Sequence, residues 1–195
     1  MPVTTAAHAG IEDPRPLPTR WYQQRRDAIT LAMLPDRRYR HALQPGCSIG
    51  TLTAQLAARC DRVTAMDVAE AALRGADARL RRAGSRDRVT LYLSSRDAPW
   101  PPGPFDLLVL SDVACDLEAD ALATVLSREC PRLRPGAKVV AAHWRHPVAG
   151  RPLTGDAAHA VIAETPGLVS IARYGDRDVV IEAFATGGGW TAANW

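Results

Sequence analysis

Residues 44–50 read QPGCSIG, and the reading of that stretch decides the fold. Its centre, Gly46-Cys47-Ser48-Ile49-Gly50, satisfies two templates. As Gly-x-Ser-x-Gly it is the strand-to-helix elbow of a serine hydrolase, with Ser48 attacking a carbonyl. As a degenerate glycine-rich turn it lets the backbone approach a nucleotide-like cofactor, and Ser48 attacks nothing.

Outward from the turn, residues 40–45 predict a short strand, and Thr51 to Arg59 a helix with Leu52 and Leu56 four apart on one face. The segment RVTAMDV, residues 62–68, reads as a second strand with an acid at its end, before an alanine-rich helix from Ala69 to Ala83. A third strand at 89–93 leads through the stiff loop APWPPGP into FDLLVLSDV, residues 105–113, an apolar run typical of a strand covered on both faces. Glu118 to Leu133 reads as a helix, 137–144 as a fifth strand and 156–165 as a helix. Strands at 168–174 and 178–184 form a hairpin about Gly175-Asp176. Upstream, Trp21, Ile29, Ala32 and Met33 predict an amphipathic helix from Trp21 that stops before Pro35.

Strands alternating with helices require crossover connections between parallel neighbours. The fold class is therefore α/β: a three-layer doubly wound (Rossmann-like) sheet, seven-stranded and mostly parallel, with a C-terminal antiparallel hairpin. The expected organisation is a flexible arm over residues 1–20, one domain over 21–185 and a flexible tail over 186–195, whose Trp190 and Trp195 have no assigned role.

A chain of 195 residues with 47% hydrophobic content can bury one sizeable core. The formal charge of +3 is too small to imply a nucleic-acid partner. Arg79, Arg81, Arg82, Arg86 and Arg88 straddle a helix end, where cations complement the dipole. Cys47, Cys60, Cys115 and Cys130 lack zinc-like spacing, and no secretory signal or membrane-length apolar run is visible. The expectation is a cytoplasmic protein without membrane or nucleic-acid partners, a monomer or homodimer acting on a small-molecule substrate.

The turn follows the first core strand, whereas a hydrolase elbow follows a central strand that earlier strands already flank. The order Ser48, Asp112, His143 still meets a hydrolase's requirement, so that template stays open. The cofactor template makes its own demand, an acid at the end of the second strand to accept bonds from ribose hydroxyls. Asp67 stands 17 residues past Gly50 and, with the glycine turn also present, is read as the ribose acid in preference to a cap of the next helix. A nicotinamide enzyme usually shows all three glycines. With Ser48 in the middle, the turn suits S-adenosylmethionine, which has no pyrophosphate to approach.

The stretch WYQQRRDAITLAMLPDRRYRHALQPGCSIGTLTAQLAARCDRVTAMDVA, with FDLLVLSDV and HWRHPVAGRPLTGD, resembles the class I S-adenosylmethionine-dependent methyltransferases. Within them it is similar to the small nodulation-type (NodS-like) N-methyltransferases, across residues 20–185. The resemblance implies a seven-stranded fold, bound S-adenosylmethionine and, in the namesake, methylation of a free amine on a deacetylated sugar oligomer. Two departures matter. Gln44 stands where the family usually has glutamate, and Asp112-Val113-Ala114-Cys115-Asp116 replaces a Glu followed by a Gly-Tyr-Tyr-like run.

Methyl transfer needs nucleophile and methyl held in line in a desolvated pocket, and an amine must first lose its proton. Asp112 and His143, at the ends of the fourth and fifth strands, are the catalytic candidates, with His146 at the rim beside Arg145. Asp112 could instead cap a helix and His143 be a core histidine. Trp21, Tyr22 and Arg25 would form a helical lid over the cofactor. Gln44, Gly46, Cys47, Ser48, Gly50, Asp67, Val68, Ser95, Arg96, Asp97, Ser111 and Asp112 would bind it, with the loop after the third strand walling the adenine. No metal is expected, because His143 and His146 lack further ligands. The expected role is methylation of an amine, amino-sugar-like or from bacterial secondary metabolism. The alternatives are O-methylation and a non-catalytic partner subunit of the same fold.

Overall fold

The computed structural model describes residues 20–187. The elements run α1 Arg20–Ala32, β1 Tyr39–Pro45, α2 Thr51–Arg59, β2 Cys60–Asp67, α3 Glu70–Arg82, β3 Val89–Leu93 and β4 Leu107–Ser111. They continue with α4 Ala119–Glu129, β5 Lys138–Trp144, α5 Gly155–Ala163, β6 Leu168–Gly175 and β7 Val179–Thr186. The seven strands form one sheet in the order β3-β2-β1-β4-β5-β7-β6. All pairings are parallel except those of β7, which runs antiparallel to both β5 and β6. The sequence-derived fold class is the observed one.

Burial explains the order. All five residues of β4 and all eight of β7 are buried, as strands covered on both faces must be. The edge strands β3 and β6 are mostly exposed or half-buried. Ala42, Val63, Val109, Val140 and Ile181 pack on one face against Leu52 and Leu56 of α2 and Leu73 and Leu80 of α3. Leu43, Leu108, Val139 and Phe184 pack on the other against Leu122 and Leu126 of α4 and Ile162 of α5. Strand order reverses at β1 and β4, so the site belongs at their carboxyl ends.

Several boundaries differ from the sequence reading. The strand expected over 105–113 ends at Ser111, because Asp112 takes a left-handed backbone (φ 58°) and opens a 3-10 turn, Val113–Asp116. The helix expected to reach Leu133 ends at Glu129, where Pro131 enters another 3-10 turn, Cys130–Arg132. The arm and tail lie outside the described residues, Trp190 and Trp195 included. Arg20 and Thr186, assigned to them, belong to α1 and β7. On α1 the buried residues are Tyr22, Arg26, Asp27 and Thr30, while Trp21 and Ala32 are exposed. The apolar positions therefore misplaced the inner face, which is largely polar.

Candidate active site

The chain turns sharply after β1. Gly46, Ser48 and Gly50 all have positive φ, at 69°, 49° and 75°. A Cβ on Gly46 would sit 2.8 Å from the Val113 side chain, and one on Gly50 2.9 Å from the Ala76 Cβ, so both positions require glycine. The Cys47 N–H donates to the Met66 carbonyl at 2.8 Å, and the Ser48 N–H donates to Asp67 Oδ2 at 2.8 Å. Asp67 Oδ1 accepts from the Ala69 N–H at 3.0 Å. Asp67 thus closes the bend just before α3 and ties the turn to β2, and its oxygens keep lone pairs for a further donor.

Above the turn lies a cavity of about 370 Å³ including its mouth, bounded by residues 46–49, Gln44 and Ser111, and by Gln23, Arg26 and Asp27 of α1. Gln44 is fixed by the Thr53 hydroxyl, which donates to its Oε1 at 2.8 Å. Ser111 Oγ is buried with no hydrogen-bond partner among the described residues. Burial, then the Asp67 charge, raises the Cys47 thiol far above its ordinary range, so Cys47 is a small apolar wall and not a nucleophile.

At the cavity floor the Arg26 guanidinium reaches Asp112 Oδ2 and, at 2.9 Å, Asp27 Oδ1. Burial alone would lower the Arg26 pKa, but Asp112 and then Asp27 outweigh it and keep the cation charged. Asp112 Oδ1 also accepts from the Trp144 N–H at 3.0 Å. Neighbouring Tyr22 packs edge-on against Trp144 with ring centroids 4.7 Å apart. Burial, then Asp112, raises the Tyr22 pKa, and its hydroxyl has no partner among the described residues.

The other expected residues divide. His143 is completely buried, its pKa pushed down to about 3 by burial and then by His159. His146 is exposed, its Nε2 3.0 Å from Asp178 Oδ1, and it does not join His143. Arg25 leaves the cavity and pairs with Asp176 at 2.6 Å and with the Tyr174 hydroxyl, also at 2.6 Å, on the β6–β7 turn. Trp21 is 69% exposed. Val68, Ser95, Arg96 and Asp97 are exposed at the carboxyl ends of β2 and β3, where the Ser94 N–H donates to the Asp67 carbonyl at 3.0 Å. Arg96 pairs with Asp116 at 3.0 Å. The sequence reading missed Arg26 and Asp27. Their signal was the spacing of Tyr22, Arg26 and Thr30, one residue per helical turn.

The hydrolase template fails on this geometry. Ser48 needs a base within hydrogen-bond reach. Instead its backbone is held by Asp67, Asp112 is held by Arg26 and Trp144, and His143 Nδ1 lies 3.1 Å from His159 Nε2.

A sequence family described as a methyltransferase domain matches residues 42–136. No curated protein matches the sequence. Among solved structures, a protein of Pseudomonas syringae assigned as a methyltransferase is 32% identical, covering 85% of this chain and 99% of its own, with a TM-score of 0.69. The chain belongs to the class I S-adenosylmethionine-dependent methyltransferases. The N-methyltransferase NodS of Bradyrhizobium japonicum WM9, in complex with S-adenosyl-L-homocysteine, is 22% identical over 92% of this chain and 94% of its own, with a TM-score of 0.78. An O-methyltransferase family protein of Burkholderia thailandensis is 15% identical over 88% of this chain and 57% of its own, with a TM-score of 0.71. The cofactor of this methyltransferase is S-adenosylmethionine, and the site suits it. Gly46 and the tight turn it begins border the cavity, and the orphaned Ser111 hydroxyl lies inside it. No described helix is long and apolar enough to cross a membrane, and the described residues hold no cluster of metal-ligating side chains.

Proposed function

We propose that this methyltransferase acts on the amine of a small molecule, with an amino sugar as the first acceptor to test. The observation that carries the reading is the Asp112 carboxylate, buried at the carboxyl end of β4 in an orientation fixed by the Trp144 N–H. A buried carboxylate stabilises a neighbouring cation strongly, and an ammonium is a cation until it gives up its proton. The likeness to the NodS N-methyltransferase and the His-Trp-Arg-His-Pro segment at 143–147 support the nodulation-type assignment.

The bound cofactor supplies an electrophilic methyl group on a sulfonium. On this reading the Gly46–Gly50 turn admits the nucleoside, and Asp67 accepts hydrogen bonds from the ribose hydroxyls. Val68 and the 95–97 loop border the adenine. Gln44, Ser111 and the Arg26 guanidinium present polar groups to the methionine end. Tyr22 packed on Trp144 shields the centre from water, which strengthens every charge interaction there. Asp112, whose oxygens keep lone pairs beyond the Arg26 guanidinium and the Trp144 N–H, receives the acceptor's ammonium.

Incubation with S-adenosylmethionine and paired acceptors tests the assignment, using glucosamine and its oligomers against catechol and flavonoid hydroxyls. Mass spectrometry should find one added methyl on nitrogen. Transfer to hydroxyls alone would overturn the amine reading.

A further inference from the structure

Gln44, the penultimate residue of β1, is 2% exposed and borders the cavity. The two ends of its amide have opposite roles, since Oε1 accepts and Nε2 donates two hydrogens. Which end meets the cavity is decided from behind. Thr53 on α2 is completely buried, and the acceptor for its hydroxyl hydrogen among the described residues is Gln44 Oε1, at 2.8 Å. Turning the amide over would make Nε2 the donor to Thr53 and leave the hydroxyl hydrogen without an acceptor inside the core, the costlier arrangement. Oε1 is therefore committed to Thr53. The Nε2 hydrogens, which have no partner among the described residues, are left for the cavity.

The neighbouring strand adds to the same wall. Ser111 ends β4, which lies beside β1, and its buried hydroxyl also borders the cavity without a partner among the described residues. The sheet side thus offers N–H and O–H hydrogens and no acid. Among the lining residues the one acid is Asp27 on α1, whose Oδ1 accepts from Arg26. A ligand ammonium set against Gln44 would meet donor with donor, whereas a carboxylate there gains charge-assisted hydrogen bonds.

We propose that Gln44 is a specificity-determining residue for the cofactor: its Nε2 hydrogens bind the carboxylate of the amino-acid end, beside Ser111, and the ammonium is left to Asp27. Thr53 is the positioning residue that holds the amide in that sense. The proposal rests on S-adenosylmethionine as the cofactor and is independent of whether the acceptor is an amine or a hydroxyl. The cofactor's tail is then read at this wall by its negative end. A glutamate in place of Gln44 would have the same shape and only accept, so it would repel the carboxylate and attract the ammonium.

Titration calorimetry tests this with S-adenosylhomocysteine and two analogues, one lacking the amino group and one lacking the carboxylate. Wild-type protein should bind the desamino analogue about ten- to a hundred-fold more tightly than the decarboxylated one, the worth of a hydrogen bond to a charged group. Gln44→Glu should shrink that ratio at least about ten-fold or invert it. Thr53→Val keeps the side-chain shape and frees the amide to turn, so it should narrow the ratio. Loss of packing alone would weaken both analogues together, because they fill the same cavity. A wild-type protein that binds the two analogues equally overturns the proposal, and so does a ratio that Gln44→Glu leaves unchanged, which would mean that Arg26 alone reads the carboxylate. An unchanged ratio in Thr53→Val overturns the positioning role even if Gln44→Glu does not fold.

Discussion

The Ser48 backbone N–H donates to Asp67 Oδ2 at 2.8 Å, which ties the turn after β1 to the carboxyl end of β2. One carboxylate thus shapes the turn and stands where a ribose is expected. Asp67→Ala should remove both contributions. A hydrogen bond to a charged group is worth about 1.5–3 kcal/mol, so S-adenosylhomocysteine affinity should fall about ten- to a hundred-fold in calorimetry. Asp67→Asn, which keeps one carbonyl acceptor, should fall between. Wild-type affinity in the alanine variant would remove Asp67 from the site.

Gly46 is packed against Val113, whose side chain leaves no room for a Cβ. Gly46→Ala meets two separate costs, the steric overlap and a left-handed φ of 69°. Each is of order 1–3 kcal/mol. Thermal melts should show a clear loss, and adding Val113→Ala should recover only the steric part. Full recovery in the double variant would mean that the backbone strain costs nothing.

How legible all this was in the sequence follows from which signals are local. The fold came through because β4 and β7 are mostly apolar and the turn chemistry at Pro45-Gly46 and Pro135-Gly136 is unambiguous. Gln44, the glycine turn, Asp67 and Ser111 were legible because they end strands at fixed offsets. Arg26 was not, since its burial depends on Asp112, 86 positions away in the chain, and an apolar count cannot register a buried ion pair. Arg25 stood next to it and looked as suitable, yet one helical step of about 100° sends it to Asp176 instead.

Ser48 has the elbow's sequence without its chemistry. Among the described residues its hydroxyl has no imidazole in hydrogen-bond reach, because His143 is committed to His159 on the other face of the sheet. A fluorophosphonate probe should leave Ser48 unlabelled, read by peptide mass spectrometry. Stoichiometric labelling would revive the hydrolase template.

Arg25 fastens α1 to the β6–β7 turn through Asp176 and Tyr174. Burial raises the Asp176 pKa, but bonds from the Val179 and Asp178 N–H groups, Arg25 and Tyr174 outweigh it and hold the carboxylate well below its usual range. Asp176→Asn keeps a turn-capping oxygen and removes the ion pair. Hydrogen exchange across α1 should quicken a few-fold, the modest effect of a partly exposed pair, with the sheet amides unchanged. Unchanged exchange in α1 would show that Tyr22 and Arg26 alone hold the helix.

The two buried imidazoles give stability a definite pH dependence. His143 is depressed from 6.5 to about 3 by burial and then by His159, and His159 is depressed by burial despite Glu182. The unfolded chain takes up a proton as pH falls through about 6.5, and the folded chain refuses it until far lower. The His143 contribution is therefore complete above about pH 6.5 and is lost progressively from there down toward pH 3, at about 1.4 kcal/mol per pH unit, and the His159 contribution is lost in the same direction. Carboxylates such as Asp176 lose theirs at lower pH, so the window from 7 to 5 isolates the histidines. Urea unfolding at those two pH values should show the wild type losing about 2 kcal/mol more than His143→Gln. Parallel losses would mean that His143 is not held neutral by the fold.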